Sequence, residues 1–330
     1  MESQEKEVSN LGIIEQGTCG TCVWELDGKK TLTIRPQDGK SGVLRSDHGW
    51  PLRNVRKIVI KDGVKADVYA GKMFAGMEDC AMFDVEKLDV SATENMHGMF
   101  ECCSSMENVA GLEKWDVSNL TVMSYMFHGC SSLKDISALA GWNVSKVTDM
   151  KYAFHWCESL TDISSLKKWD ISNVINTCCM FRGCTSLKDI SHLSGWNVPG
   201  IRRKDRMFSY TDISCDVLDT LIPIACPREG AFIGYKKCCS GRIVQLEIPE
   251  DAKRSSAYGK KCRCSKAKVL NIWTPDGEEA EHAVSIYDDS FVYRKGETVK
   301  VSYFNKNRFN ECAAGIHFFM TRKEAEDYVL

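Results

Sequence analysis

The chain has 330 residues, 43% hydrophobic and 27% charged, with 43 basic against 45 acidic side chains and a net charge of -2. That length supports roughly two or three domains with cores of their own, and the ordinary composition excludes a fibre or a disordered chain. Charge balance excludes a global field that draws the chain onto nucleic acid or an anionic membrane. The balance also holds locally: residues 73–214 carry 13 basic and 18 acidic side chains, and residues 225–330 carry 18 and 15.

The opening MESQEKEVSNLGIIEQ has no basic n-region followed by an apolar core, and no window approaches 18 uninterrupted apolar residues. The expectation is a cytoplasmic chain with no membrane segment, whose 17 cysteines stay reduced. Residues 1–18 read as a flexible N-terminus and residues 19–72 as a β-rich cap. Within the cap, Cys19 and Cys22 have the C-x-x-C spacing of zinc knuckles and redox sites. Zinc needs a second pair, and the next cysteine is Cys80; redox chemistry needs a helix start, whereas VWEL follows directly. A structural role is the expectation for both.

From about residue 73 to 214 the chain repeats with a period of 27: Trp115, Trp142, Trp169 and Trp196; Cys103, Cys130, Cys157 and Cys184; Phe100, Phe127, Phe154, Phe181 and Phe208. Four cysteines at one register are not four unique catalytic groups. They read as small packed hydrophobes at a repeated corner. Leu133, Ile136, Leu139 and Trp142 are spaced in threes, which is neither the period of a flat strand nor that of a long helix. The spacing predicts a continuously bending arc with short strands around LKDIS. The fold class expected is a β-rich, leucine-rich-repeat-like solenoid of 27-residue coils, with the β-rich cap before it and a separate α+β C-terminal domain after it.

The segments WDVSNLTVMSYMFHGCSSLKDIS and WDISNVINTCCMFRGCTSLKDIS resemble the BspA-like leucine-rich repeats of bacterial surface proteins, over about residues 73–213. GTCGTCVWELDGKKTLTIRP and VRKIVIKDGVK resemble the β-rich segment that commonly precedes such repeats. The resemblance implies a solenoid used for binding and adhesion at a cell surface, with a protein or glycan as partner, no cofactor and no catalysis.

Two rows offer more than packing. Asp135, Asp162 and Asp189 follow Asn108 at one register and either recruit a hard cation such as Ca²⁺ or accept backbone N–H groups of their own corners. The row Asp116, Asn143, Asp170 and Asn197 reads as Asx-turn caps. The tryptophans are either an exposed ladder for sugars or peptides, or buried in step with the core leucines three residues before them; burial is the expectation.

The period ends after MFSYTDIS, and residues 215–330 read as a C-terminal module. AFIGY, GRIVQLEI, AKVLNIW, FVYRKG and TVKVSYF read as strands, and TRKEAEDYVL as a helix opened by a capping box. The segment IGYKKCCSGRIVQLEIPEDAKRSSAYGKKCRCSKAKVL with FNECAAGIHFF resembles an uncharacterised module found after repeats in bacterial and phage-related proteins, which implies an architecture and no chemistry. Cys262 and Cys264 share one face of a strand, and Cys226, Cys238, Cys239, Cys312 and His317 are available as further zinc ligands. Packed thiols are the competing reading. Cys312 with His317 suggests a thiol hydrolase, without an orienting acid or amide in view. Lys260, Lys261, Arg263, Lys266 and Lys268 form a basic stripe, or the lysines of a protected edge strand. The function expected is a non-enzymatic binding or adhesion protein. The alternative is a recognition arm fused to a C-terminal enzyme or effector.

Overall fold

The computed structural model describes residues 12–329 apart from 48, 257 and 309–312. It divides into two compact units, residues 1–221 and 222–330. The expected flexible N-terminus falls for residues 1–11 outside the described residues.

The first unit begins with β1 (Ile13–Cys19), β2 (Cys22–Asp27), β3 (Thr31–Pro36), β4 (Gly42–Leu44), β5 (Lys57–Ile60), β6 (Val64–Ala66) and β7 (Met82–Asp84). β1, β2 and β3 form an antiparallel meander whose β2 and β3 alternate buried with more exposed side chains, the period-two pattern of a half-buried sheet. β3, β5 and β7 then pair in parallel, and β4 pairs in parallel with β6. Cys19 and Cys22 face each other across the β1–β2 turn, both buried. Gly20 in that turn has φ +59°, and a Cβ there would lie 2.2 Å from the Val43 carbonyl oxygen. Glycine is required at this position.

Among the described residues no strand lies between β7 and residue 232. The leucine-rich-repeat-like solenoid expected from the sequence is therefore corrected. Among the described residues the chain is β-rich with five small separate sheets and few helices, and none of these sheets is closed or curled through the repeats. The LKDIS segments hold no strand. Ser137–Gly141, Ser164–Lys168 and Ser191–Leu193 are 3₁₀ helices, joined to tight turns on either side. The physical reason lies in the spacing of three. Leu133 N–H donates to the Cys130 carbonyl, Leu139 to Ile136 and Trp142 to Leu139, so three of the four apolar residues in this row close an i→i+3 turn. A 3₁₀ turn has three residues and eclipses side chains at i and i+3, which the sequence pattern records as an apolar residue in every third place.

Adjacent repeats meet through isolated parallel bridges, Asn95 to Val122 to Asp149 to Asn176 to Arg203. Backbone donors beside them reach the next repeat: Phe127 N–H to Ala153, Phe154 to Met180 and Phe181 to Met207. Inside, Phe100, Phe127, Phe154, Phe181 and Phe208 form a fully buried file with centroids 5.5–5.6 Å apart. Each such ring contributes roughly 2–3 kcal/mol of burial. Helix α1 (Cys215–Leu221) ends the unit.

The second unit contains β8 (Phe232–Lys237), β9 (Ile243–Ile248), β10 (Arg254–Ser256), β11 (Cys262–Cys264), β12 (Lys266–Trp273), β13 (His282–Val284), β14 (Val292–Arg294), β15 (Thr298–Lys300), β16 (Ile316–Phe318) and helix α2 (Arg322–Glu326). β15, β12, β9 and β8 form an antiparallel sheet, and β10, β11 and β16 a smaller one. Val244, Leu246, Val269, Ile272 and Phe318 are buried in its core. Thr321 and Glu324 make the reciprocal capping box at the start of α2.

Candidate functional site

The repeat rows fall in different places. Each cysteine of the periodic row is fully buried, and its thiol donates to a carbonyl of the preceding repeat: Cys103 to Phe74 at 3.1 Å, Cys130 to Phe100 at 3.1 Å, Cys157 to Phe127 at 3.2 Å and Cys184 to Phe154 at 3.1 Å. Burial pushes all four thiols well above their ordinary value, so none is an activated nucleophile. Trp115, Trp142, Trp169 and Trp196 are buried, and their indole N–H groups donate to Val85, Leu112, Leu139 and Leu166 carbonyls. They are no exposed ladder.

Asp135, Asp162 and Asp189 are exposed at one register, and their Oδ1 atoms accept the backbone N–H of Ser137, Ser164 and Ser191 at 2.8, 2.7 and 2.7 Å. They close Asx turns at the entry to the 3₁₀ helices that follow them. Asp116, Asn143 and Asp170 accept from Ser118, Ser145 and Ser172 in the same way.

In the second unit Cys262 and Cys264 are buried at alternate positions of β11. Among the described residues no group of three or more His, Cys, Asp or Glu is arranged to hold a metal. Cys312 lies outside the described residues. His317 sits half-buried on β16 and lines a cavity of about 430 Å³ together with Lys236 and Lys261. Of the basic stripe, Arg263 is buried and donates to the Asn307 carbonyl at 2.9 Å, while Lys266 pairs with Asp251.

The side chains that converge on an accessible surface are ones the sequence rows did not mark. Along one edge of the repeats, Tyr125 stacks on Tyr152 at 4.6 Å, His128 on His155 at 4.8 Å, and Trp156 on Tyr210 at 6.4 Å. His97 packs edge-on against Tyr125, and Tyr152 edge-on against His155, which joins the pairs into one aromatic patch. Arg182 lies 5.0 Å over the Tyr210 ring. Trp156 is 38% and Tyr210 63% exposed. The Nδ1 atoms of His155 and His128 lie 2.9 Å apart, within hydrogen-bond distance.

The backbone under this patch is strained. Two positions per repeat are left-handed: one is held by Gly98, Tyr125, Tyr152, Cys179 and Arg206, the other by Cys102, Gly129, Trp156, Gly183 and Tyr210, with φ between 56° and 77°. Glycine takes this conformation freely, whereas a bulky side chain there costs on the order of 1 kcal/mol. Gly183 also leaves room for its neighbour, because a Cβ would come within 2.6 Å of the Trp156 indole. Beside the patch, Cys178 and Cys179 place their sulfurs 3.8 Å apart. The Cys178 hydrogen bond, with Tyr152 and Arg182, holds the Cys179 thiol below its ordinary value.

Among the described residues no helix is long and apolar enough to cross a membrane. Residues 69–165 and 135–217 match the family model described as "Mycoplasma protein of unknown function, DUF285", and residues 222–325 match the model described as "Family of unknown function (DUF5758)". The chain is similar to "Uncharacterized protein L223" of Acanthamoeba polyphaga mimivirus, 40% identical over 97 residues that cover 26% of this chain and 61% of that protein. The chain thus spans less than two thirds of the length of that relative. No solved structure matches.

Proposed function

We propose that this chain is a non-enzymatic binding protein of the kind represented by BspA-like repeats, and that the aromatic edge from Tyr125 to Tyr210 receives a protein partner. The observation that carries this reading is that Tyr125, Tyr152, Trp156 and Tyr210 place large rings on left-handed backbone along one exposed edge, at two positions that sister repeats fill with Gly98, Gly129 and Gly183 or with Cys102, Cys179 and Arg206. Strain retained on a solvent-facing edge is a mark of function, since packing alone is served better by glycine. Trp, Tyr and Arg are also the side chains that dominate the energetics of protein interfaces. Four buried thiols that donate to carbonyls favour a reducing compartment for this activity.

The test compares the full chain with a double variant, Trp156→Ala with Tyr210→Ala, as baits for proteins from the source cells and as probes of a glycan array. The wild-type chain should retain a protein that the double variant loses by tenfold or more. Equal retention by both removes the aromatic edge from the account. Array binding that the double variant loses transfers the edge to a glycan instead.

A further inference from the structure

Lys236 is the last but one residue of β8, and the residue is only 6% exposed. Its ammonium sits 5.7 Å from the centre of the Tyr293 ring. Among the described residues it makes no hydrogen bond and no ion pair. Removing an ammonium from water costs several kcal/mol unless an anion or a full set of acceptors replaces the water. A cation–π contact returns about 2 kcal/mol at best when desolvated. Burial accordingly drives the Lys236 amine below its ordinary range, with Lys261 adding to the effect.

The open side of Lys236 is the cavity of about 430 Å³ in the second unit, within the size range of small-molecule sites. Lys261 stands at this cavity with its Nζ 3.0 Å from the Tyr328 hydroxyl, which leaves two of its three donors available. The one carboxylate among the described residues of the lining, Asp288, accepts at Oδ1 from the Ser290 backbone N–H and hydroxyl. Among the described residues the lining therefore has two cations against one ionised carboxylate, whose Oδ1 takes both bonds of its own turn. The rest of the wall is rings: Phe291 and Tyr293 meet at 5.3 Å, and Tyr303, 65% exposed, stands at the mouth.

We propose that this cavity is a binding site for a small organic anion built on a planar ring, with its carboxylate or phosphate on Lys236 and Lys261 and its ring against Phe291, Tyr293 and Tyr303. The anion pairs with the Lys236 ammonium on its cavity side, and the rings take the flat body of the ligand. The site lies wholly within the second unit, so it stands or falls apart from the aromatic edge of the repeats.

Calorimetric titration of the full chain tests it with four probes: benzoate, phenyl phosphate, inorganic phosphate and phenol. At least one ring anion should bind tenfold or more tighter than both inorganic phosphate and phenol; which of the two wins tells a carboxylate from a phosphate ligand. Lys236→Met should remove that binding by tenfold or more, and Lys261→Met should weaken it less. Should Lys236→Met fail to fold, Tyr303→Ala at the exposed mouth serves instead, and it should weaken the ring anion while leaving inorganic phosphate unchanged. The proposal is overturned when neither ring anion binds at millimolar concentration, when inorganic phosphate binds as tightly as phenyl phosphate, or when the variants bind like the wild type.

Discussion

His155 lies buried beneath the exposed aromatic edge, stacked on His128 and within hydrogen-bond distance of it. Burial first, then the charges of His128 and Arg182, hold its pKa down to about 4 from 6.5. The folded chain therefore favours the neutral ring. The stabilisation this implies is fully present above pH 6.5 and is lost as the pH falls from there toward about 4, because the unfolded histidine takes up a proton first. His155→Phe should flatten urea-melting stability across that window by up to about 3 kcal/mol. An unchanged slope would mean that His155 titrates like a free histidine. For Asp135, Asp162 and Asp189 the expectation is the reverse, an absence of response. Their carboxylates already serve backbone donors, so calcium should leave the melting temperature unchanged. Binding at a hundred times its dissociation constant would add about 2.7 kcal/mol and contradict the turn-closing role.

At the scale of the element, one turn per repeat decides both stability and surface. Gly183→Ala places a methyl group against the Trp156 indole and a side chain at φ +77°. It should cost on the order of 1 kcal/mol or more and displace Trp156 from Tyr210, visible as a changed near-ultraviolet dichroism. Tyr210→Gly makes the opposite exchange at φ +60°. Its stability should stay within about 1 kcal/mol of the wild type while partner retention falls, a pairing that a purely structural tyrosine does not give. The periodic rows were legible in the sequence because their residues repeat identically: Cys130 and Trp142 are buried fillers just where the period puts them. The strands expected at LKDIS were not there, because a spacing of three fits successive 3₁₀ turns as well as it fits a bending arc. The aromatic edge was missed for another reason. Its positions change identity from repeat to repeat, as Gly98, Tyr125, Tyr152, Cys179 and Arg206 do, so a search for constant rows passes over them. The usable signal was large aromatic residues at registers where some sister repeats have glycine, as Gly98, Gly129 and Gly183 do.

At the scale of the molecule, the chain consists of two units that meet in sequence at residues 221 and 222. Each has its own buried core, so residues 222–330 expressed alone should reproduce one of two calorimetric transitions of the full chain. A single transition of the full chain with an unfolded fragment would contradict this division. The strand segments GRIVQLEI and AKVLNIW and the capped helix could be read locally, since alternation and a capping box are local signals. The cavity could not: Lys236, Lys261, Tyr293 and His317 come from distant segments, and only the folded sheets bring them together. The central claim, that the edge from Tyr125 to Tyr210 meets a protein, is tested most directly by photo-crosslinking. A benzophenone amino acid replaces Tyr210 in one chain and Lys167, exposed on the 3₁₀ helix Ser164–Lys168, in another. The account predicts a discrete crosslinked protein from position 210 and none from position 167. Equal crosslinking at both positions, or none at 210, would contradict it.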